Sequence, residues 1–302
     1  MSFSSDAKAE LCRIKTDSLC CAVAECYGVL LYCNTFNANE IKIITASPEL
    51  AARLPRLFKK AFGVSFDVLP PDTAAGKRTL IINDKSKISR IAGTFGIDIS
   101  RSLSLHVNFP VLENDCCKTA FLRGAFLAGG SVTDPEKHFH LELATNHRSV
   151  SGETCAIMLE AGFSPREAQR KNSSLLYFKQ ADLISDFLTS IGASVVAMNV
   201  ITAKVEREMN NTITRRVNCD SANADKIVSA AQEQVDAIHR YAARYGLDSL
   251  PEELKSAAFL RITNPEASLA DLAGLSVPRV SKSCLSHRLK RIGELADREV
   301  KE

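Results

Sequence analysis

Two stretches of this sequence each begin with a pair of adjacent cysteines: CCAVAECYGVLLYCNTF at residues 20–36 and CCKTAFLRGAFLAGGSV at residues 116–132. A shift of 96 positions superposes them and places Gly28 over Gly124. The same shift still matches Gly96 with Gly192, far from the cysteines. A register kept over that distance predicts two homologous halves of roughly 100 residues each.

Hydrophobic periodicity predicts the element order αββαββα in both halves, an α+β fold. In the first half the predicted helices are 5–31, 48–62 and 86–95, and the predicted strands are 29–34, 41–46, 64–69 and 80–83. In the second half the predicted helices are 117–128, 150–161 and 181–191, and the predicted strands are 139–144 and 175–178.

Small residues occupy one face of the opening helix in each half, with Ala24 and Gly28 in the first and Ala120, Gly124 and Ala128 in the second. A glycine inside a helix costs up to about 1 kcal/mol, so its presence indicates a gain from close contact. We therefore expect the two helices to cross at these residues and to relate the halves by a pseudo-twofold axis.

This repeat resembles the LAGLIDADG homing endonucleases, and AFLRGAFLAGGSVTDPEKHFHLELATNHRS is most similar to the signature segment of the bacterial WhiA proteins. That family combines a degenerate LAGLIDADG domain with a C-terminal helix-turn-helix. The stretches EREMNNTITRRVNCDSANADK and SLADLAGLSVPRVSKSCLSHRLKRI carry further similarity. The resemblance implies a regulator of transcription linked to cell division, chromosome segregation and, in spore formers, sporulation.

The same resemblance argues against nuclease activity. LAGLIDADG enzymes bind a divalent metal ion through one acidic residue at the end of each motif helix, and hard cations need carboxylate oxygens. Cys33 and Gly129 occupy these two positions here, and Asp134 lies five residues further on. The sequence therefore predicts no catalytic residues, no metal site and no cofactor.

The C-terminal segment gathers positive charge, with five basic and no acidic residues between Arg279 and Arg291. Ser249 with Glu252 and Ser268 with Asp271 have capping-box spacing, and Ser281 precedes a third helix with apolar Leu285, Leu289, Ile292 and Ala296. A short helix, a turn and a longer basic helix are typical of a helix-turn-helix.

A recognition helix presents its N-terminal side chains to base edges, while flanking Lys and Arg neutralise phosphates. Placing the apolar stripe inward predicts a set of DNA-binding residues in the turn and on the outward face. The set is Arg279, Ser281, Lys282, Ser283, Ser286, His287, Arg288, Lys290 and Arg291. Double-stranded DNA is the predicted partner, and other transcription regulators are possible partners.

Two weaker candidates lie outside this segment. His138, His140 and Glu142 alternate along a predicted strand and are interpreted as a solvated face rather than a metal site. Arg207, Arg215 and Arg216 precede a predicted helix over 223–245 and are either phosphate contacts or part of a packed hinge.

Residues 1–112 and 113–205 are predicted as the two repeats, 206–246 as a linker helix region and 247–302 as the DNA-binding domain. The 302 residues carry a net charge of +3 and ten cysteines, interpreted as mainly buried reduced thiols. With no long apolar run, we expect a cytoplasmic, nucleoid-associated protein without membrane contact. An active homing-type endonuclease and a ligand-sensing or partner-sensing regulator remain the alternatives.

Overall fold

The computed structural model describes residues 2–71, 76–98 and 104–297, and its contacts form two compact units, Met1–Glu208 and Met209–Glu302. The first unit contains the two repeats, and the second is all helical. None of the helices in the described ranges has the length and hydropathy that crossing a bilayer requires.

The first repeat forms one three-stranded antiparallel sheet with helices packed against it. Its elements are α1 (Phe3–Cys12), α2 (Leu19–Tyr32), β1 (Thr35–Phe36), β2 (Ile41–Thr45), α3 (Pro48–Phe62), β3 (Arg78–Ile82) and α4 (Lys85–Thr94). The strands are ordered β1-β2-β3, and Ile43 on β2 pairs with Leu80 on β3. The buried faces of β2 and β3 contribute to the hydrophobic core of this unit.

The second repeat follows αββαββα throughout. Its elements are α5 (Asp115–Gly129), β4 (Gly130–Val132), β5 (Leu141–Thr145), α6 (Arg148–Glu160), β6 (Arg166–Arg170), β7 (Ser173–Phe178) and α7 (Ala181–Ile191). The strand order is β4-β5-β7-β6, and all pairs are antiparallel. The α+β architecture is therefore confirmed.

Three predicted elements of the first repeat differ from the structure. The opening helix is two helices, because the Ser18 side chain accepts a hydrogen bond from the backbone N–H of Cys21 and caps a new helix there. The predicted strand 29–34 is mostly the end of α2. The predicted strand 64–69 is reduced to one bridge between Val68 and Ile81, since Pro70 and Pro71 lack the N–H groups that would extend it.

The second unit packs three short helices around one apolar cluster. α8 (Ser194–Tyr245) begins in the first unit and ends in this one, so the predicted helix 223–245 is only its C-terminal part. It is followed by α9 (Glu252–Thr263), α10 (Leu269–Leu275) and α11 (Lys282–Asp297). Ile238 of α8 is buried in the same cluster as Ala258, Leu272 and Leu289.

The two repeats meet where α2 crosses α5, as the small residues predict. A Cβ atom added to Gly28 would lie 2.1 Å from the carbonyl oxygen of Phe121, and one added to Gly124 would lie 2.0 Å from that of Glu25. Each glycine thus contacts the backbone of the opposite helix. No side chain larger than hydrogen fits at either position unless the helices separate.

A buried carboxylate joins the two repeats beside this crossing. Glu25 on α2 is fully buried, and both its oxygens accept hydrogen bonds from the Arg53 guanidinium of α3, at 2.7 and 2.9 Å. Arg123 on α5 lies 3.4 Å from the same carboxylate and donates to the carbonyl oxygen of Ile191. Arg53 also donates to the carbonyl oxygens of Cys12 and Ile14. One carboxylate and two guanidinium groups therefore tie α2, α3 and α5 together.

We expect Gly124→Ala to lower the free energy of unfolding of the first unit by more than the roughly 1–3 kcal/mol of an overpacked core, because backbone must move. Urea unfolding followed by circular dichroism measures this. Gly152→Ala is the matched control, since Gly152 is exposed on α6 with nothing within 4 Å of the added Cβ. Equal stability of the two variants would contradict the close crossing.

Replacing Arg53 with Met leaves Glu25 buried with a weaker partner, and removal of one member of a buried ion pair typically costs about 3–5 kcal/mol. Urea unfolding of Arg53→Met should show a loss of this size. The control is Arg56→Met, which removes an exposed cation from the same helix. Adding Glu25→Gln to Arg53→Met should restore part of the stability. If the Arg56 control loses as much, the buried pair is not the cause.

Candidate nucleic-acid interface

The helix-turn-helix is defined by two side-chain caps that the sequence predicts. Ser268 accepts a hydrogen bond from the backbone N–H of Asp271, and its hydroxyl donates to the Asp271 carboxylate at 2.7 Å, so α10 begins with a capping interaction. Ser281 accepts from the backbone N–H of Cys284 at 3.2 Å and starts α11. These caps fix the residues at which α10 and α11 begin, and the second cap also ends the turn between them.

The third predicted cap, at Ser249, is wrong. Ser249 lies in a short 3₁₀ turn, Leu247–Ser249, and its hydroxyl donates to the carbonyl oxygen of Gly246 at 2.7 Å. Pro251 instead occupies the position before α9 and has no side-chain cap. Leu250 and Pro251 are extended, which leaves Ser249 too far from the first N–H groups of α9 to bond them.

The orientation of α11 agrees with the predicted apolar stripe. Leu285, Leu289, Ile292 and Ala296 are all buried, and the first three belong to the apolar cluster of the second unit. The opposite face of the helix is therefore directed away from this core.

Arg261 is an interior residue that our sequence reasoning missed. It is 1% exposed, and its guanidinium donates to the Gln234 side chain of α8 at 2.9 Å and to the carbonyl oxygen of Ala267 at 2.7 Å. Both acceptors are neutral, and burial lowers the pKa of this guanidinium. Arg261 lies one helical turn after buried Ala257 and Ala258. Its place on the same apolar face of α9 could have indicated from the sequence that it is buried.

The structure places the nine predicted DNA-binding residues in the turn and on α11, with different exposures. Ser286 and Arg288 are half-buried. The exposed members are Arg279, Ser281, Lys282, Ser283, His287, Lys290 and Arg291. The set is therefore accessible apart from two positions at the sides of the helix.

Two of the basic residues have acidic partners within the second unit. Arg288 lies 3.2 Å from Glu253 of α9, and Arg291 lies 3.1 Å from Glu294 one turn later. In the part of the chain that the structure describes, no carboxylate lies within ion-pairing distance of Arg279, Lys282 or Lys290. These three cations are the ones available to an external anion.

Acidic residues surround the C-terminal half of α11. Ser286 and Lys290 line a groove of about 560 Å³ whose opposite wall is α8, with Glu233 and Asp236 among its lining residues. Asp297, at the end of α11, pairs with Arg240 at 3.2 Å and lines the same groove. Lys282, at the N-terminal end, lines a smaller cavity together with Lys226. Positive charge without nearby carboxylates is therefore concentrated at the capped N-terminal end of α11.

The ends of the two motif helices in the first unit contain no carboxylate. Cys33 donates its thiol hydrogen to the carbonyl oxygens of Leu30 and Thr35, and burial raises the pKa of this thiol to about 12. A Cβ atom on Gly129 would lie 2.4 Å from the carbonyl oxygen of Ala144, so no side chain fits there. Asp134 lies in the connection between β4 and β5, where it accepts from the backbone N–H of Glu136.

The two weaker candidates participate in local contacts. The His140 ring lies 3.1 Å from Glu142, which also lies 3.6 Å from Arg170, so this face carries a polar network within the sheet. Arg207 donates to three carbonyl oxygens between residues 135 and 137 and stacks over the Phe139 ring at 4.6 Å. Arg207 is therefore a packing residue, whereas Arg215 and Arg216 are exposed.

The first unit contains a cavity of about 520 Å³ that is a candidate ligand-binding site under the ligand-sensing alternative. Its lining includes Arg53 and Lys60, together with exposed cations such as Arg13 and Arg56. Arg53 already donates hydrogen bonds to Glu25 and to backbone carbonyl oxygens, and Lys60 donates to the carbonyl oxygens of Thr16 and Asp17. The cavity therefore offers a ligand mainly exposed cations at its mouth, and it does not favour the sensing alternative.

Comparison with known proteins matches the second repeat and the second unit to two domain families. Residues 118–210 match the family described as the WhiA LAGLIDADG-like domain, and residues 213–296 match the WhiA C-terminal HTH domain. "Probable cell division protein WhiA" of Alkaliphilus metalliredigens is 33% identical over 99% of this chain and 98% of that protein. The protein of the same name from Ruminiclostridium cellulolyticum is 34% identical, with the same coverage of both chains.

A crystal structure of full-length DUF199/WhiA from Thermatoga maritima has the same fold. It superposes with a TM-score of 0.60 at 24% identity and covers 99% of both chains. Because two relatives above 30% identity align over nearly their whole length and both domain families match in order, the chain belongs to the WhiA family.

Proposed function

We propose that this protein is a sequence-specific DNA-binding regulator whose helix-turn-helix contacts DNA through the N-terminal end of α11. The observation that carries this proposal is the cluster of Arg279 and Lys282, without ionic partners in the described part of the chain, at the Ser281-capped start of α11. Helix N-termini and free cations both favour phosphate oxygens. Exposed Ser283 and His287 lie on the same face and are positioned to read base edges.

The nine predicted residues are assigned unequal roles in this proposal. Arg279, Lys282 and Lys290 neutralise phosphates, and exposed Ser283 and His287 face bases. Ser286 is half-buried in the groove against α8 and has a smaller role. Ser281 acts mainly as the helix cap. Arg288 and Arg291 contribute less to DNA binding. Arg288 must first break its ion pair with Glu253, and Arg291 its ion pair with Glu294, before either can bind a phosphate.

The proposed cellular role draws on the relatives. Their name, probable cell division protein, supports a role for this chain in cell division. Transcription control, chromosome segregation and sporulation in spore formers complete the proposed role, with the protein acting in the cytoplasm at the nucleoid. Chromatin immunoprecipitation with sequencing in the native host should give discrete promoter peaks. Broad coverage of the chromosome would instead indicate an organising role.

The LAGLIDADG-like unit is proposed to be a scaffold without nuclease activity that positions DNA or contacts other regulators. Cys33 and Gly129 support this, because a protonated thiol and a hydrogen atom cannot hold Mg²⁺ where a LAGLIDADG enzyme has two carboxylates. The active-endonuclease alternative would need ligands from another part of the unit.

The DNA-binding proposal predicts how affinity responds to salt. A duplex selected by the purified full chain from a random-sequence library should bind with a log K that falls linearly with log salt, by about 0.9 per neutralised phosphate. The triple variant Arg279→Ala, Lys282→Ala and Lys290→Ala should bind more weakly and with a shallower slope. Fluorescence anisotropy at several KCl concentrations measures both quantities.

The matched control removes three exposed cations from the first unit, Arg56→Ala, Lys59→Ala and Lys85→Ala, and so changes net charge equally. It should leave affinity and slope close to those of the unmodified chain. His287→Ala should instead relax sequence preference by about 1–3 kcal/mol at one position with little change in slope. If the two triple variants behave alike, α11 is not the DNA-binding element.

The scaffold proposal predicts that the full chain does not nick a supercoiled plasmid containing the selected site in the presence of Mg²⁺ or Mn²⁺. Agarose electrophoresis of the plasmid over time provides the measurement. Nicking that EDTA abolishes, and that persists in the α11 triple variant at saturating protein, would refute the scaffold role.

A further inference from the structure

Four cysteines from the two repeats converge at one end of the helix crossing. The Sγ atoms of Cys20, Cys21, Cys116 and Cys117 all lie within 4.8 Å of one another. The sequence led us to expect mainly buried thiols, yet Cys20 and Cys116 are exposed and only Cys117 is fully buried. This cluster plays no part in the DNA-binding proposal.

The convergence follows from the internal repeat. Each pair occupies the first turn of a motif helix, Cys20 and Cys21 in α2 and Cys116 and Cys117 in α5. The two helices are in contact along their length, and the Cys21 thiol hydrogen is directed at the carbonyl oxygen of Cys116 at 3.7 Å. Pseudo-twofold symmetry therefore brings two adjacent pairs together to give four thiols.

The spacing of the sulfur atoms suits a tetrahedral metal ion. Four thiolates around Zn²⁺ have Zn–S bonds of about 2.3 Å, which places neighbouring sulfur atoms roughly 3.8 Å apart. The Sγ atoms of Cys116 and Cys117 are 4.0 Å apart, and no pair in the cluster exceeds 4.8 Å. Small side-chain rotations would close the remaining gap without movement of either helix.

The position of the two pairs places partial positive charge beside the sulfur atoms. Both pairs lie at helix N-termini, where the exposed backbone N–H groups and the helix dipole stabilise negative charge. Sulfur ligands select zinc and other thiophilic metals rather than Mg²⁺ or Ca²⁺. Exposed Cys20 and Cys116 leave a path by which an ion can enter from solvent.

This cluster is separate from the positions at which a homing endonuclease binds its metal ions. Those positions, Cys33 and Gly129, lie at the opposite ends of the same two helices. Thirteen residues of α-helix separate Cys20 from Cys33, a rise of about 20 Å. A metal ion at the four cysteines would thus have no access to a phosphate held at the motif ends.

We propose that Cys20, Cys21, Cys116 and Cys117 bind one Zn²⁺ ion that clamps the N-terminal ends of α2 and α5 together. On binding, the four thiols release their protons to solvent and form four Zn–S bonds. With all four positions occupied by protein sulfur, the site is structural, because catalytic zinc keeps a position open for water or substrate. Bound metal then stabilises the first unit by mass action.

The test uses the full chain, purified under reducing conditions without chelator. Inductively coupled plasma mass spectrometry should find one zinc ion per chain. After removal of zinc, added Co²⁺ should give the visible d–d bands of a tetrahedral site and ultraviolet thiolate-to-cobalt charge-transfer bands. The double variant Cys20→Ser, Cys116→Ser changes the two exposed ligands and should lose both zinc and these bands.

The matched control is the double variant Cys219→Ser, Cys284→Ser, which removes two thiols remote in sequence from the cluster and should keep the zinc ion. Removal of zinc from the unmodified chain should lower the midpoint of thermal unfolding of the first unit, and added Zn²⁺ should restore it. The unmodified chain alone therefore decides the question even if a variant fails to fold.

Three results would overturn the proposal. The first is a folded chain that holds no metal, takes up no Co²⁺ and has freely titrating thiols. The second is a metal-free chain in which the cysteines of the cluster form disulfides. Mass spectrometry would then show a mass lower by two hydrogens for each disulfide. The third is iron with acid-labile sulfide at these residues, which would assign an iron–sulfur cluster instead of zinc.

Discussion

The first unit depends on the direct contact between the backbones of α2 and α5. Gly28 and Gly124 place hydrogen atoms where any side chain would overlap a carbonyl oxygen of the other helix. At that separation Arg123 of α5 reaches Glu25, which Arg53 binds from α3, and the four thiols lie together. The crossing thus determines the geometry of a buried ion network and of a cysteine cluster that lie at different positions along the same helices.

Much of this architecture was predictable because it is recorded in local sequence patterns. The paired cysteines and the common register revealed the repeat, and the serines at 268 and 281 marked two helix starts that the structure confirms. β6 was missed because Arg166–Arg170 has every side chain exposed and therefore no apolar alternation. Ser249 was misassigned because capping-box spacing does not reveal the extended backbone of Leu250 and Pro251.

Other features of the two units depend on distant contacts that spacing cannot show. Nothing near Glu25 in the sequence indicates that Arg53 and Arg123 will meet it, and nothing near Arg288 indicates Glu253. In the helix-turn-helix the basic segment looked uniform along the sequence. The structure divides it into a free N-terminal part and a C-terminal part flanked by Glu233, Asp236 and Glu294.

The uncharged ends of the two motif helices affect which substitutions the first unit tolerates there. A nuclease of this fold holds two carboxylates close together, and their mutual repulsion has to be relieved by a bound metal ion or by a raised pKa of one carboxyl group. With a protonated thiol at Cys33 and a hydrogen atom at Gly129, that repulsion is absent. Neither position therefore needs a metal ion to offset charge, and substitutions there are limited by side-chain volume and, at Cys33, by the cost of burying a charge.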